Sequence, residues 1–218
     1  MIPDVLIEQL PVHLRLALSY APAHARGLTL GLLALDCRLA GIVRNSREPL
    51  LGQVRLAWWR DRFGEGAGAW PEGEPLLALL RPWADQLAVL SSLVDGWEGL
   101  LGDQQLSGEA LARLAEGRAS AFGGLACLLC ADLDETKRAA RGWALVDLSG
   151  KLGDPEERAQ ARYLAEQQDW GRARLPRSLR PLAVLHGLAR RAMKRGDSQL
   201  LSGGVAGLVA LRLGLLGR

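Results

Sequence analysis

Apolar residues recur along this chain at steps of three and four, the signature of helices that each bury one face. From Leu28 they fall at Leu28, Leu32, Leu35, Leu39 and Ile42. Pro49 follows Glu48 and suits a first helical position, so a helix is expected from about Leu50 to Phe63. Leu51, Val54 and Trp58 would form its core face, and Trp59 with Arg55 and Arg62 an outer one. The longest stripe runs Leu76, Leu80, Trp83, Leu87, Leu90, Val94, Trp97, Leu101 and reads as one long core-facing helix. Between these two, "GEGAGAWPEGEP" is a loop by its Gly and Pro content.

Further along, Ser107 is a candidate cap for a helix reaching about Ala131, whose small residues Gly117, Ala121, Gly123 and Gly124 permit close helix approach. Asp134 is a candidate cap for the next, ending near Leu152. "DPEERAQARYLAEQQ" starts with Asp154 as N-cap, Pro155 at the first helical position and Glu157 at capping-box spacing. Pro181 opens a helix that ends near Arg195–Gly196 with four cations in its last turns. No strand pattern, repeat or linker interrupts the series. The expectation is a single all-α domain over residues 1–218, with seven to nine helices.

Composition agrees with a globular helical protein: 49% hydrophobic, 23% charged, and few Ile, Thr, Tyr or Phe. Net charge is only +3, but its placement is uneven. Ten of the 27 Lys and Arg lie in residues 171–218, against one of the 24 acidic side chains, Asp197. Such a basic C-terminal quarter favours an anionic membrane surface or an acidic protein partner. The apolar tail "GGVAGLVALRLGLLG" is short for a span and carries Arg212, so a packing or surface-lying helix is expected. Three cysteines fit a reducing compartment, and Cys127 and Cys130 read as core-facing thiols of one helix. With no signal-peptide pattern at the start, the expected location is the cytoplasm, peripheral to the membrane through the basic quarter. His13, His24 and His186 offer no ligand spacing. No nucleic-acid-binding module, Rossmann fingerprint or P-loop is present.

"SYAPAHARGLTLGLLALDCRLAGIV" followed by "SREPLLGQVRLAWWRDRF" resembles the squalene/phytoene synthase family. The likeness continues in order through "LVDGWEGLLGDQQLSGEALARLAEGRASAFGGL", "ARGWALVDLSGKLGD" and "RARLPRSLRPLAVL", covering residues 10–195. It implies an isoprenoid-synthase fold around a central apolar pocket, with two aspartate-rich motifs holding magnesium against a prenyl diphosphate. Carboxylates at i and i+4 share one helix face and one metal, which neutralises charge on the leaving group.

Here the first motif falls on Ala40 and Arg44, with Asp36 one turn earlier and Cys37–Arg38 where the family has an arginine. The second retains Asp147 and Asp154. Asp147 stands at i+4 spacing from Lys151 for an ion pair, and Asp154 is the cap already described. The resemblance therefore implies a catalytically degenerate member, like the respiratory complex I assembly factors of this family, that binds a lipid or isoprenoid or assists assembly. No cofactor or metal ligand set is expected in that case. The alternative is a divergent magnesium-dependent transferase joining prenyl diphosphates head to head, with Asp36, Asp95 and Asp147 as its acidic residues. Candidate substrate- or anion-binding residues are Ser19, Arg38, Arg44, Arg172 and Arg174, with Arg44 facing the old cavity beside Asp36 and Ala40.

Overall fold

Proline and capping residues set most helix starts. In a computed structural model, which describes residues 4–102, 105–202 and 204–217, eleven α-helical segments follow one another. They are α1 (Asp4–Glu8), α2 (Val12–Ser19), α3 (Ala23–Asn45), α4 (Pro49–Glu65), α5 (Pro75–Leu80), α6 (Leu87–Glu98), α7 (Gly108–Leu128), α8 (Leu133–Ser149), α9 (Pro155–Glu166), α10 (Arg180–Arg195) and α11 (Gly204–Leu216). No strand occurs among the described residues. The protein is an all-α bundle, with more segments than the seven to nine expected.

Part of the excess comes from Pro82. The stripe from Leu76 to Leu101 is not one helix: α5 stops at Leu80 and a 3-10 turn covers Arg81–Gln86 before α6 begins. A proline inside a helix removes one backbone donor and clashes with the preceding turn, so the α-helix breaks there. Burial nevertheless keeps the periodicity. Leu76, Leu80, Trp83, Leu90, Val94 and Trp97 are all buried, whereas Leu87 and Leu101 are half-buried.

Capping follows short-range chemistry. Ser107 Oγ accepts from the Ala110 amide, and Asp154 Oδ1 accepts from the amides of Glu156 and Glu157. Glu157 does not close a capping box; its carboxylate instead accepts from the Leu106 amide, at 2.8 Å. The cap of α8 is Asp132, not Asp134: its Oδ1 accepts from the Glu135 amide at 2.7 Å, and Asp134 lies in the first turn. Gly196, in the left-handed region at φ 75°, ends α10.

Helix α4 is rotated from the expected orientation. Leu56, Trp59 and Phe63 are buried, while Leu51, Val54 and Trp58 face solvent. The reason is a second partner set. Trp59, Phe63 and Trp70 form an aromatic run with centroid spacings of 6.0 and 6.1 Å. Trp70 Nε1 donates to the Arg62 carbonyl at 2.6 Å, fixing the loop beneath that face. Trp58 is left outside, edge-on to Trp59 and under the Arg62 guanidinium. Cys127 and Cys130 are likewise exposed, not core thiols of one helix: Leu125 and Ala126 take the buried face of α7's last turn, and Cys130 lies beyond its end at Leu128.

Helix α7 lies between α6 and α8, with α3 also packed on it. Its approach to α6 depends on Gly117, where a Cβ would stand 2.8 Å from the Ser92 carbonyl oxygen. That close approach carries the next α7 residue, Arg118, into the centre of the bundle.

Candidate functional site

Three apolar stripes are each interrupted by one charged residue, and the three interruptions meet. On α3, Asp36 follows Leu32 by one turn. On α7, Arg118 continues the buried series Leu111, Leu114, Phe122 and Leu125. On α8, Asp147 follows Ala140 and Trp143. Arg118 is 2% exposed, Asp36 5% and Asp147 3%.

The Arg118 guanidinium joins both carboxylates. Nε donates to Asp36 Oδ1 at 3.0 Å and Nη2 to Asp36 Oδ2 at 2.8 Å, the two-pronged geometry in which a guanidinium binds a carboxylate most strongly. Nη1 donates to Asp147 Oδ2 at 3.0 Å. Trp97 Nε1 adds a 2.8 Å bond to Asp36 Oδ1. Lys151 Nζ donates to Asp147 Oδ2 at 2.6 Å, and His13 Nε2 stands 3.2 Å from Asp147 Oδ1. The Asp147–Lys151 spacing thus yields the expected pair, but its carboxylate is buried rather than on the surface. Indole rings of Trp97 and Trp143 lie 5.0 and 5.1 Å from the Arg118 carbon, adding cation–π contacts.

The electrostatics are closed within this cluster. Burial by itself would raise the Asp147 carboxyl. The Lys151 ammonium, the His13 ring and the Arg118 guanidinium outweigh it and hold that group well below the usual carboxylate range. Burial likewise opposes the charge on Arg118, but Asp36 and Asp147 more than compensate, so it remains a cation. The neighbouring Cys37 thiol is pushed up to about 12, first by burial and then by Asp36, and stays protonated at neutral pH.

These residues do not fit a magnesium ion. Hard divalent cations need several oxygen ligands, and here three of the four carboxylate oxygens accept hydrogen bonds while the fourth faces His13. A guanidinium stands between the two aspartates, and a metal would have to displace it from the core. Among the described residues no group of three or more His, Cys, Asp or Glu is arranged to hold a metal. The space beside the cluster, lined by Leu32, Leu33, Leu93, Ala121, Phe122 and Trp143, amounts to about 10 Å³. At most one water fits there. The open apolar pocket expected at this point is filled by side chains.

The remaining candidates lie elsewhere. Asp95 is exposed and pairs with Arg60 at 2.6 Å, so it does not join Asp36 and Asp147. Arg44 is exposed in the last turn of α3 and makes no ion pair with Asp36, whose carboxylate pairs with Arg118 instead of the Arg44 charge expected there. Arg38 is half-buried and lines a surface cleft of about 290 Å³ with Gln9, Cys37, Asn45 and Arg55. Ser19 is exposed and its hydroxyl donates back to the Leu16 carbonyl at 2.7 Å. Arg172 and Arg174 are exposed on the loop before α10, where the Arg174 amide donates to Glu135. Sequence reasoning missed Arg118, although a signal for it existed: a cation in phase with Leu111, Leu114, Phe122 and Leu125.

No family model matches the chain, and no curated protein and no solved structure matches it either.

Proposed function

We propose that this chain is a catalytically degenerate relative of the squalene/phytoene synthases that acts as a binding or assembly protein. The observation that carries the reading is the Arg118 bridge. Asp36 and Asp147 come from the two segments that resemble the family's metal motifs, and they meet in the core on one guanidinium. A group that must ionise a prenyl diphosphate has to gather metal ions and phosphate oxygens between its carboxylates. Arg118 fills that position with a permanent cation that offers no lone pair to a metal and does not give up a proton near neutral pH. The roughly 10 Å³ of free space nearby points the same way, since a prenyl chain cannot enter it. Any ligand is then held at the surface clefts.

The test is incubation with farnesyl and geranylgeranyl diphosphate in magnesium buffer, read by pyrophosphate release. No release above a protein-free blank is expected, with or without chelator. Metal-dependent release that Asp147→Asn abolishes, in a variant shown by thermal melting to be folded, would restore the transferase reading.

A further inference from the structure

Helix α11 is built the wrong way round for a surface helix in water. Its small residues face the protein: Ala206 and Ala210 are each 1% exposed. Gly214 lies so close to the Tyr20 ring that a Cβ there would stand 2.2 Å from it, and Leu213 fills the equivalent space over Gly187 of α10. Val209 and Leu213 apart, its large residues face out. Leu208 is 65% exposed and Leu215 66%, with Val205, Leu211 and Leu216 exposed beside them. Helices at the surface of a soluble bundle put their large apolar side chains inward. An apolar ridge turned outward on a helix docked by small residues marks a contact surface.

The surroundings of that ridge indicate what it contacts. Two clefts flank the C-terminal half of α11, of about 400 and 800 Å³. Arg172, Arg190 and Arg212 line the first, and Arg172, Arg174 and Arg180 line the second, with Asp132 the one acidic residue in either lining. None of these five arginines has an ion-pair partner among the described residues. The Nε atoms of Arg180 and Arg190 are buried with no acceptor. Thirteen residues at about 1.5 Å each make α11 roughly 20 Å long, short of a hydrocarbon core of about 30 Å. Among the described residues no helix is long and apolar enough to cross a membrane.

We infer that α11 is a docking helix that lies in the plane of an anionic lipid surface, its leucines in the acyl boundary and the flanking arginines on lipid phosphates. Helices of this kind bury an apolar face a few ångströms deep and draw added affinity from basic residues at the headgroup level. A second copy of the chain is disfavoured as occupant, because a two-fold interface would set the same arginines against each other. The ridge of one helix also offers a protein partner no groove of its own, whereas a fluid acyl layer needs none. This surface extends the binding-protein reading without depending on the loss of catalysis.

The experiment is co-sedimentation of the full chain with phosphatidylcholine vesicles, with and without phosphatidylglycerol at roughly a third of the lipid. No prenyl diphosphate or magnesium is present, so the result stands apart from the turnover assay. Partition onto the anionic vesicles is expected, weaker in high salt. Leu208→Ser with Leu215→Ser should lower it about tenfold, and each of Arg172→Gln, Arg190→Gln and Arg212→Gln on the order of fivefold at low salt. All five positions except Arg190 are exposed, and circular dichroism checks that every variant remains folded. Equal partition onto neutral vesicles, or variants that bind as the parent does, would overturn the inference. So would a dimer in solution that the leucine substitutions dissociate.

Discussion

Replacing Arg118 by Met removes the cation and keeps much of the side-chain volume. Asp36 then retains a single donor, Trp97 Nε1, while Asp147 keeps Lys151 and the neighbouring His13. Taking one partner from a buried ion pair costs about 3–5 kcal/mol, because the remaining charge has neither water nor counter-charge. For a chain of 218 residues each kcal/mol moves the melting midpoint by about 2–4 °C, so a loss on the order of 10 °C is expected at pH 7. Arg118→Lys should fall between the two proteins, since an ammonium keeps the charge but not the planar fork that serves two carboxylates.

The pH dependence separates this mechanism from a simple packing defect. In the parent, Asp147 is held below its unfolded value, so its contribution is complete above that value and is lost only as the pH falls through the folded one. It is therefore constant between pH 7 and 5. In Arg118→Met the unpaired carboxylate gains stability by taking up a proton, which becomes easier as pH falls. The stability difference between the two proteins, measured by urea denaturation, should shrink from pH 7 to pH 5. Adding Asp36→Asn and Asp147→Asn to Arg118→Met should restore most of what was lost. A difference below about 1 kcal/mol at pH 7, or one that does not change with pH, would refute the bridge as described.

Two further outcomes follow from the packing. Trp59→Ala should cost about 3–5 kcal/mol and Trp58→Ala less than about 1, read as urea midpoints at constant slope; similar losses at both positions would contradict the orientation of α4. His186 is buried against Trp170 with its two ring nitrogens near the Ala139 and Gly171 carbonyls, and burial, opposed by those carbonyls but assisted by Arg138 and Arg190, lowers its pKa. Stability from this ring is full above its unfolded value and declines as pH falls towards the folded one, so NMR should place its titration below that of an exposed histidine, and an ordinary or raised midpoint would remove the argument.

Helix positions were legible because period and punctuation are local properties. Asp154 before Pro155 needs nothing from the rest of the fold to cap α9, and the stripe from Leu76 to Trp97 stays buried at every position but Leu87 even though Pro82 breaks the helix that carries it. Orientation was not legible where two faces are apolar. In α4, Leu51–Val54–Trp58 and Leu56–Trp59–Phe63 are equally good stripes, and the choice between them rests on Trp70 and on Leu101, whose side chain packs on Gly52. Neither of those lies on α4. The two aspartates of the core were visible as candidates, Asp36 beside the old cavity and Asp147 with an ion-pair partner of its own at Lys151. What was not visible is that a third helix supplies their counter-charge.

A charged residue in phase with an apolar stripe is the sequence sign of such a cluster, because it can be buried only if partners wait for it. Arg118 meets that condition between Leu114 and Phe122, and Asp36 and Asp147 meet it on their own helices. Stability alone does not account for keeping all three, since a well-packed apolar replacement for a buried ion cluster is often as stable or more so. The geometry gives the triad a different effect. It ties α3, α7 and α8 at one level of the bundle, and any slide of one helix by a turn would strand a charge in the core. Register between three Leu- and Ala-rich helices, which apolar contacts specify weakly, is thereby specified by charge. That is why the Arg118→Met variant should lose cooperativity as well as midpoint, with a shallower urea transition than Trp59→Ala at equal destabilisation.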